Sequence, residues 1–238
     1  MKNISDISII QTRLYEADVI PFKKLLTATN LKNLMAPFAF TQITPIEDDS
    51  KNVVGILMKL GEFKTDERVY PIEMLVVEIN KIVIKILGDT AIANKFYNQI
   101  AKLLSDIDPD GQMLKKSPLL IVPQTTCAVS FDFDYSDIFS KKFTSFIKKQ
   151  ATKACSSSID NKAKVNITPH SLAFEITYQI TDNRLQGSRA RIESKVLRME
   201  PRVGIPLKER HFYTASPTDS ETHLKLFSEL EKYFAKRK

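Results

Sequence analysis

The chain has 238 residues, 43% hydrophobic and 26% charged. That apolar content excludes a disordered protein, and the longest apolar runs, such as 74–77 and 82–84, fall far short of the roughly 20 residues a membrane-spanning helix needs. The net charge of +7 is one-sided: residues 1–118 hold 15 residues of each sign, so the whole excess falls in the second half and favours an acidic partner there.

A β-branched run over residues 7–15 predicts a first strand. Asp18 is a candidate N-cap, and Pro21 sits in the first turn of the helix that follows. Phe22, Leu25, Leu26 and Leu34 recur at helical intervals, and the helix should stop before Pro37, because a pre-proline residue resists helical geometry. Strands are predicted at 38–46, 53–60, 68–78 and 82–87. The breaks between them are turn-like: 47–51 is polar, 61–67 is charged, and Asn80-Lys81 suits a two-residue hairpin. In 74–77 and 82–87 both strand faces carry apolar residues, so both need covering, by the chain's own elements or by a second subunit. Asp89 or Thr90 caps a second helix with Ile92, Phe96, Ile100 and Leu103 on one face.

Residues 106–117 connect two halves. Asp106, Asp108, Asp110 and Gly111 match the opening of a calcium loop, but Ser117 stands where a bidentate glutamate is required and Pro109 stiffens the turn, so a plain acidic turn is expected. The pattern then restarts. Cys127, Val129, Phe131 and Phe133 alternate with Ala128, Ser130 and Asp132 as a half-buried strand. Asp134 or Ser136 starts a helix whose inner face is Phe139, Phe143, Phe146, Ile147 and Gln150, with Lys141, Lys142, Lys148 and Lys149 in water. Asp132, Asp134 and Asp137 crowd this helix start, where capping explains them more simply than magnesium. Strands follow at 164–168, 172–181, 188–199 and 211–214. Thr218-Asp219-Ser220-Glu221 has capping-box spacing and opens a last helix that buries Leu224, Phe227, Leu230 and Phe234.

Strand, helix, four strands, helix is thus read twice, with 1–110 as the first half, 111–122 as connector and 123–238 as the second half. The predicted class is α+β: a tandem β-α-β-β-β-β-α unit forming one curved antiparallel sheet with helices on one face. This element order, over nearly the whole chain, resembles the saddle of the TATA-binding protein fold, although no sequence motif of that family accompanies it. The resemblance implies a shape and no chemistry. A pair of ferredoxin-like domains would need a helix between the third and fourth strands of each half, and the pattern has none.

The strand at 188–199 places Arg189, Arg191, Glu193, Lys195 and Leu197 on one face and Ala190, Ile192, Ser194 and Val196 on the other. With the small, apolar face inward, Arg189, Arg191 and Lys195 stand on the open side of the sheet, where with Arg184 and Arg202 they can neutralise phosphates. The same charges also suit a solvated face paired with Asp132 or Glu175 on adjacent strands. Cys127 and Cys155 form neither a disulfide framework nor a metal-ligand spacing, and the N-terminus has no signal-peptide pattern, so reduced thiols and a cytoplasmic location are expected. His170, His211 and His223 stand at no metal-binding spacing, and the chain carries no metalloprotease, nucleophile-elbow or phosphate-loop motif. A triad assembled in space, for example from His211, Glu209 and Ser216, stays open. The reading that results is a non-enzymatic nucleic-acid-binding protein with no cofactor and no membrane partner. Its alternative is a homodimeric assembly module built on the apolar hairpin of the first half. A third possibility is a small-ligand pocket between sheet and helices.

Overall fold

The structure, a computed structural model, describes residues 1–156, 170–177 and 194–235. Among these residues nine strands, β1 (Lys2–Leu14), β2 (Gln42–Glu47), β3 (Val53–Lys64), β4 (Val69–Glu78), β5 (Lys81–Leu87), β6 (Leu120–Ser130), β7 (Leu172–Ile176), β8 (Lys195–Pro201) and β9 (His211–Ser216), form a single sheet. Every neighbouring pair is antiparallel, in the order β2-β3-β4-β5-β1-β6-β9-β8-β7. Among the described residues five α-helices accompany it: α1 (Phe22–Leu25), α2 (Ala28–Met35), α3 (Thr90–Ile107), α4 (Lys141–Ser156) and α5 (Ser220–Ala235). The class is α+β, and because β1 lies between β5 and β6, both halves of the chain contribute to one continuous sheet.

Strand alternation and helix periodicity meet on one face of this sheet. Residues Ile72, Leu75, Val77, Ile82, Ile84 and Ile86 turn inward against the apolar stripe of α3, where Ile92, Phe96, Ile100 and Leu104 are buried. Phe96 is the centre of that core, with Phe38 edge-on at 5.0 Å and Phe63 at 5.4 Å. A second cluster gathers Phe131, Phe133, Phe212, Phe227 and Phe234 under α5. Asp89 caps α3, its carboxylate accepting from the Ile92 amide at 2.9 Å. Asp219 caps α5 through the Thr222 amide at 2.9 Å, one residue beyond the expected capping-box start.

Several elements differ from expectation for local reasons. The helix expected between Asp18 and Pro37 is broken at Thr27, whose hydroxyl accepts from the Asn30 amide and starts α2 afresh. β1 begins at Lys2 rather than at residue 7. Its pairing with β6 slips twice, between Lys2, Ser5 and Ser8, and Asn3 and Asp6 take the positive φ angles (51° and 53°) of these bulges, a conformation asparagine and aspartate tolerate. The hairpin turn is Ile79-Asn80, so Lys81 already belongs to β5. α4 starts at Lys141, where Ser140 rather than Asp134 or Ser136 caps it, the Phe143 amide donating to Ser140 Oγ at 3.1 Å. The strand predicted at 164–168, and the parts 178–181 and 188–193 of two others, lie outside the described residues. Among the described residues no helix is long and apolar enough to cross a membrane.

Candidate interaction face of the sheet

α1, α2, α3 and α5 all bury side chains on the same side of the sheet. Neither hydrophobic cluster of the described residues lies on the other side. On it, alternation places Met74 and Val76 of β4 beside Val83 of β5, with Leu57 of β3, Ile10 and Thr12 of β1 and Val122 of β6 in the adjoining rows. None of these residues belongs to either helix-side cluster. Thr12, Val76 and Val122 are nevertheless buried, while Met74, Val83, Leu57 and Ile10 are half-buried. Two ion pairs flank the strip: Lys81 Nζ lies 2.9 Å from Glu78, and Lys85 pairs with Glu73. The open face of the first half is therefore an apolar strip bracketed by charge pairs of both signs.

The second half presents a different surface. β8 carries Arg198 and Glu200 outward, 3.6 Å apart, and β9 carries Tyr213. Arg202 follows β8 with its guanidinium 5.7 Å from the Tyr213 ring centre. Of the predicted phosphate-binding set, Arg202 thus stands on the open side. Lys195 does not: it is only 6% exposed and shares the inward side of β8 with Leu197 and Met199. The phase of this strand is opposite to the expected one, because Met199 fills the core under α5 while Ser194, Val196 and Arg198 turn out. Arg184, Arg189 and Arg191 lie outside the described residues.

Two buried polar networks test the enzymatic alternatives. His223, on α5, is fully enclosed; its Nδ1 lies 2.8 Å from Ser216 Oγ, and its Nε2 lies 3.0 Å from Thr214 Oγ1 and 3.3 Å from Cys127 Sγ. A cysteine beside a histidine is the raw material of a nucleophile, but chemistry needs a thiolate and an approach path. Here burial pushes the Cys127 thiol up, and burial pulls the His223 imidazole down to about 4, so both groups are neutral at pH 7. The network fastens α5 to β6 and β9. The spatial triad considered from sequence does not assemble, since Ser216 is held by His223 and His211, at the other end of β9, pairs with Ser130 Oγ at 2.9 Å.

The second network surrounds Arg13 of β1. Its guanidinium lies 3.4 Å from the Tyr97 ring centre, and it donates to Gln11 Oε1 at 2.9 Å and Asn94 Oδ1 at 2.7 Å. No carboxylate among the described residues pairs with it. The neutral amides and the aromatic face take the place of a counter-ion, and the hydroxyls of Tyr15 and Tyr97 hydrogen-bond beside it. Burial, then the Tyr97 hydrogen bond, raises the Tyr15 phenol. Sequence reasoning missed both networks, because Gln11 and Arg13 meet Asn94 only once α3 lies across β1.

The remaining sequence candidates have ordinary partners. Asp108 of the acidic turn takes Lys24 at 2.7 Å, Asp134 takes Arg210 at 3.0 Å, and Asp132 takes Lys2 at 3.2 Å. A cavity of about 300 Å³ between β7, β8 and α5 is lined by Leu172, Phe174, Leu197, Leu226 and Leu230, with Arg198 and Glu229 as its charged groups. Comparison with family models, curated proteins and solved structures finds no match, so the function rests on what these residues do.

Proposed function

We propose that the protein is a non-enzymatic assembly module that pairs with a second copy of itself through the open face of β4 and β5. The observation that carries this reading is the apolar strip of half-buried Met74 and Val83 beside buried Val76, between the Glu78–Lys81 and Glu73–Lys85 pairs. An apolar sheet face without a covering layer favours a partner surface. The two lysine–glutamate pairs at its margins suit pairing about a twofold axis, where a lysine of one copy meets a glutamate of the other. A cofactor plays no part in this reading, and the protein works in the cytoplasm.

The strand order supports a tandem, saddle-like arrangement of halves 1–110 and 123–238. β1 and β6, which open the two halves, lie side by side and antiparallel, and in each half the last strand, β5 or β9, flanks the first. Light scattering of the purified protein tests the assembly reading. The wild type should have the mass of a dimer, and Met74→Lys/Val83→Lys should have that of a monomer with unchanged circular dichroism. A monomeric wild type would remove the proposal.

A second reading, nucleic-acid binding by the second half, rests on Arg202 and Tyr213 standing together on the open side. A base can stack on the tyrosine while the arginine meets a phosphate. Replacing Arg202 by Glu should then weaken binding and flatten the dependence of log affinity on log salt by about 0.7 to 0.9. A wild type that retards no nucleic acid at low salt would discard it.

A further inference from the structure

We propose that α4 is a surface-lying helix that docks on an anionic lipid bilayer. Its 16 residues include five lysines and no acidic residue. Phe143, Phe146 and Ile147 recur at helical spacing and are 55%, 57% and 37% exposed, and none of residues 141–151, whose side chains are described, joins either hydrophobic cluster. Of the inner face expected from sequence, Phe143, Phe146 and Ile147 are therefore uncovered by the described residues, whereas Phe139, in the preceding turn, reaches the core, edge-on to Tyr135 at 5.6 Å.

The choice of partner follows from asking what satisfies both sides of this helix at once. A nucleic acid would meet the lysines and leave the phenylalanines in water. The apolar groove between β7, β8 and α5, in the same chain or in a second copy, would cover the phenylalanines, but among the described residues it offers those lysines Glu229 alone as an acidic lining group. An anionic bilayer meets both: the aromatic stripe enters the acyl boundary, and the lysines extend to the phosphate layer. Lying on a surface needs neither the length nor the unbroken apolarity of a spanning helix, so the contact is compatible with the absence of such a helix among the described residues. It departs from the sequence expectation of no membrane partner, and it is independent of the β4–β5 face.

The full-length protein is sedimented with phosphatidylcholine vesicles prepared with and without phosphatidylserine. Binding should require phosphatidylserine and weaken with salt. Each neutralised lysine should cost about fivefold, so Lys148→Gln/Lys149→Gln should lower partitioning about 30-fold. Phe143→Ser/Phe146→Ser should abolish it while leaving the circular dichroism unchanged, since these side chains lie outside both cores. No binding to phosphatidylserine vesicles, or undiminished binding by the phenylalanine variant, would overturn the proposal. So would a wild-type dimer that this variant alone dissociates, which would make a second copy the partner, or nucleic-acid binding lost in the lysine variant and kept in the phenylalanine variant.

Discussion

Mild acid should destabilise the protein through His223, and the size of the effect follows from its burial. The ring is enclosed by Ser216, Thr214, Cys127 and Phe227, none of which offers a negative charge, so burial lowers its pKa from 6.5 to about 4. The unfolded chain then accepts a proton before the folded one does. The stability contributed by the neutral ring is complete above about pH 6.5, falls as the pH drops toward about 4, and is constant below. A shift of this size corresponds to about 3 kcal/mol, a large part of the stability of a typical domain. Urea unfolding followed by circular dichroism across this range should show the decline in the wild type and a flatter profile in His223→Gln. Asp219, whose carboxyl is held low chiefly by the Thr222 amide, also loses its contribution in acid, but below its unfolded value of 3.8 and in both proteins. The difference between the two profiles therefore isolates His223. Equal slopes, or a wild type whose stability is level from about pH 6.5 to about pH 4, would refute the reasoning.

Phe96→Ala should cost about 3 to 5 kcal/mol in a denaturant titration, because it removes the ring that joins Phe38 and Phe63 under the sheet. In a Cys155→Ser background, a thiol reagent should label Cys127 only as fast as the protein opens, since the thiol is buried and protonated; rapid labelling of the native protein would contradict that environment. Asp219→Ala should lower stability by about 1 kcal/mol through loss of the α5 cap, read as a shift in the urea midpoint at constant slope.

The first half was legible in sequence because its signals are local. Alternation in β4 and β5 and the spacing of Ile92, Phe96 and Ile100 in α3 each define an inward face without reference to the rest of the chain. Where two phases compete, sequence decides poorly. In β8 the arginine-rich upstream residues suggested that Lys195 faces outward, whereas Leu197 and Met199, packed under α5, set the observed phase and carry Lys195 inward. The break between α1 and α2 was hidden because apolar spacing runs through it, and only the Thr27 hydroxyl marks the new start. The spacing on α4 defines an apolar stripe but not an inner one, since Phe143, Phe146 and Ile147 are exposed: periodicity reports a face and not what covers it. The Cys127–His223 and Arg13–Asn94 contacts join residues 96 and 81 positions apart, beyond any local pattern.

The open face of β4 and β5 is tested most directly by reversing its charges in two complementary proteins. One carries Lys81→Glu/Lys85→Glu and the other Glu73→Lys/Glu78→Lys, so that each alone opposes like charges across the twofold axis. Light scattering should give monomers for each protein separately and a dimer for their equimolar mixture. Two variants that each keep the wild-type mass, or a mixture that stays monomeric, would contradict the self-pairing face.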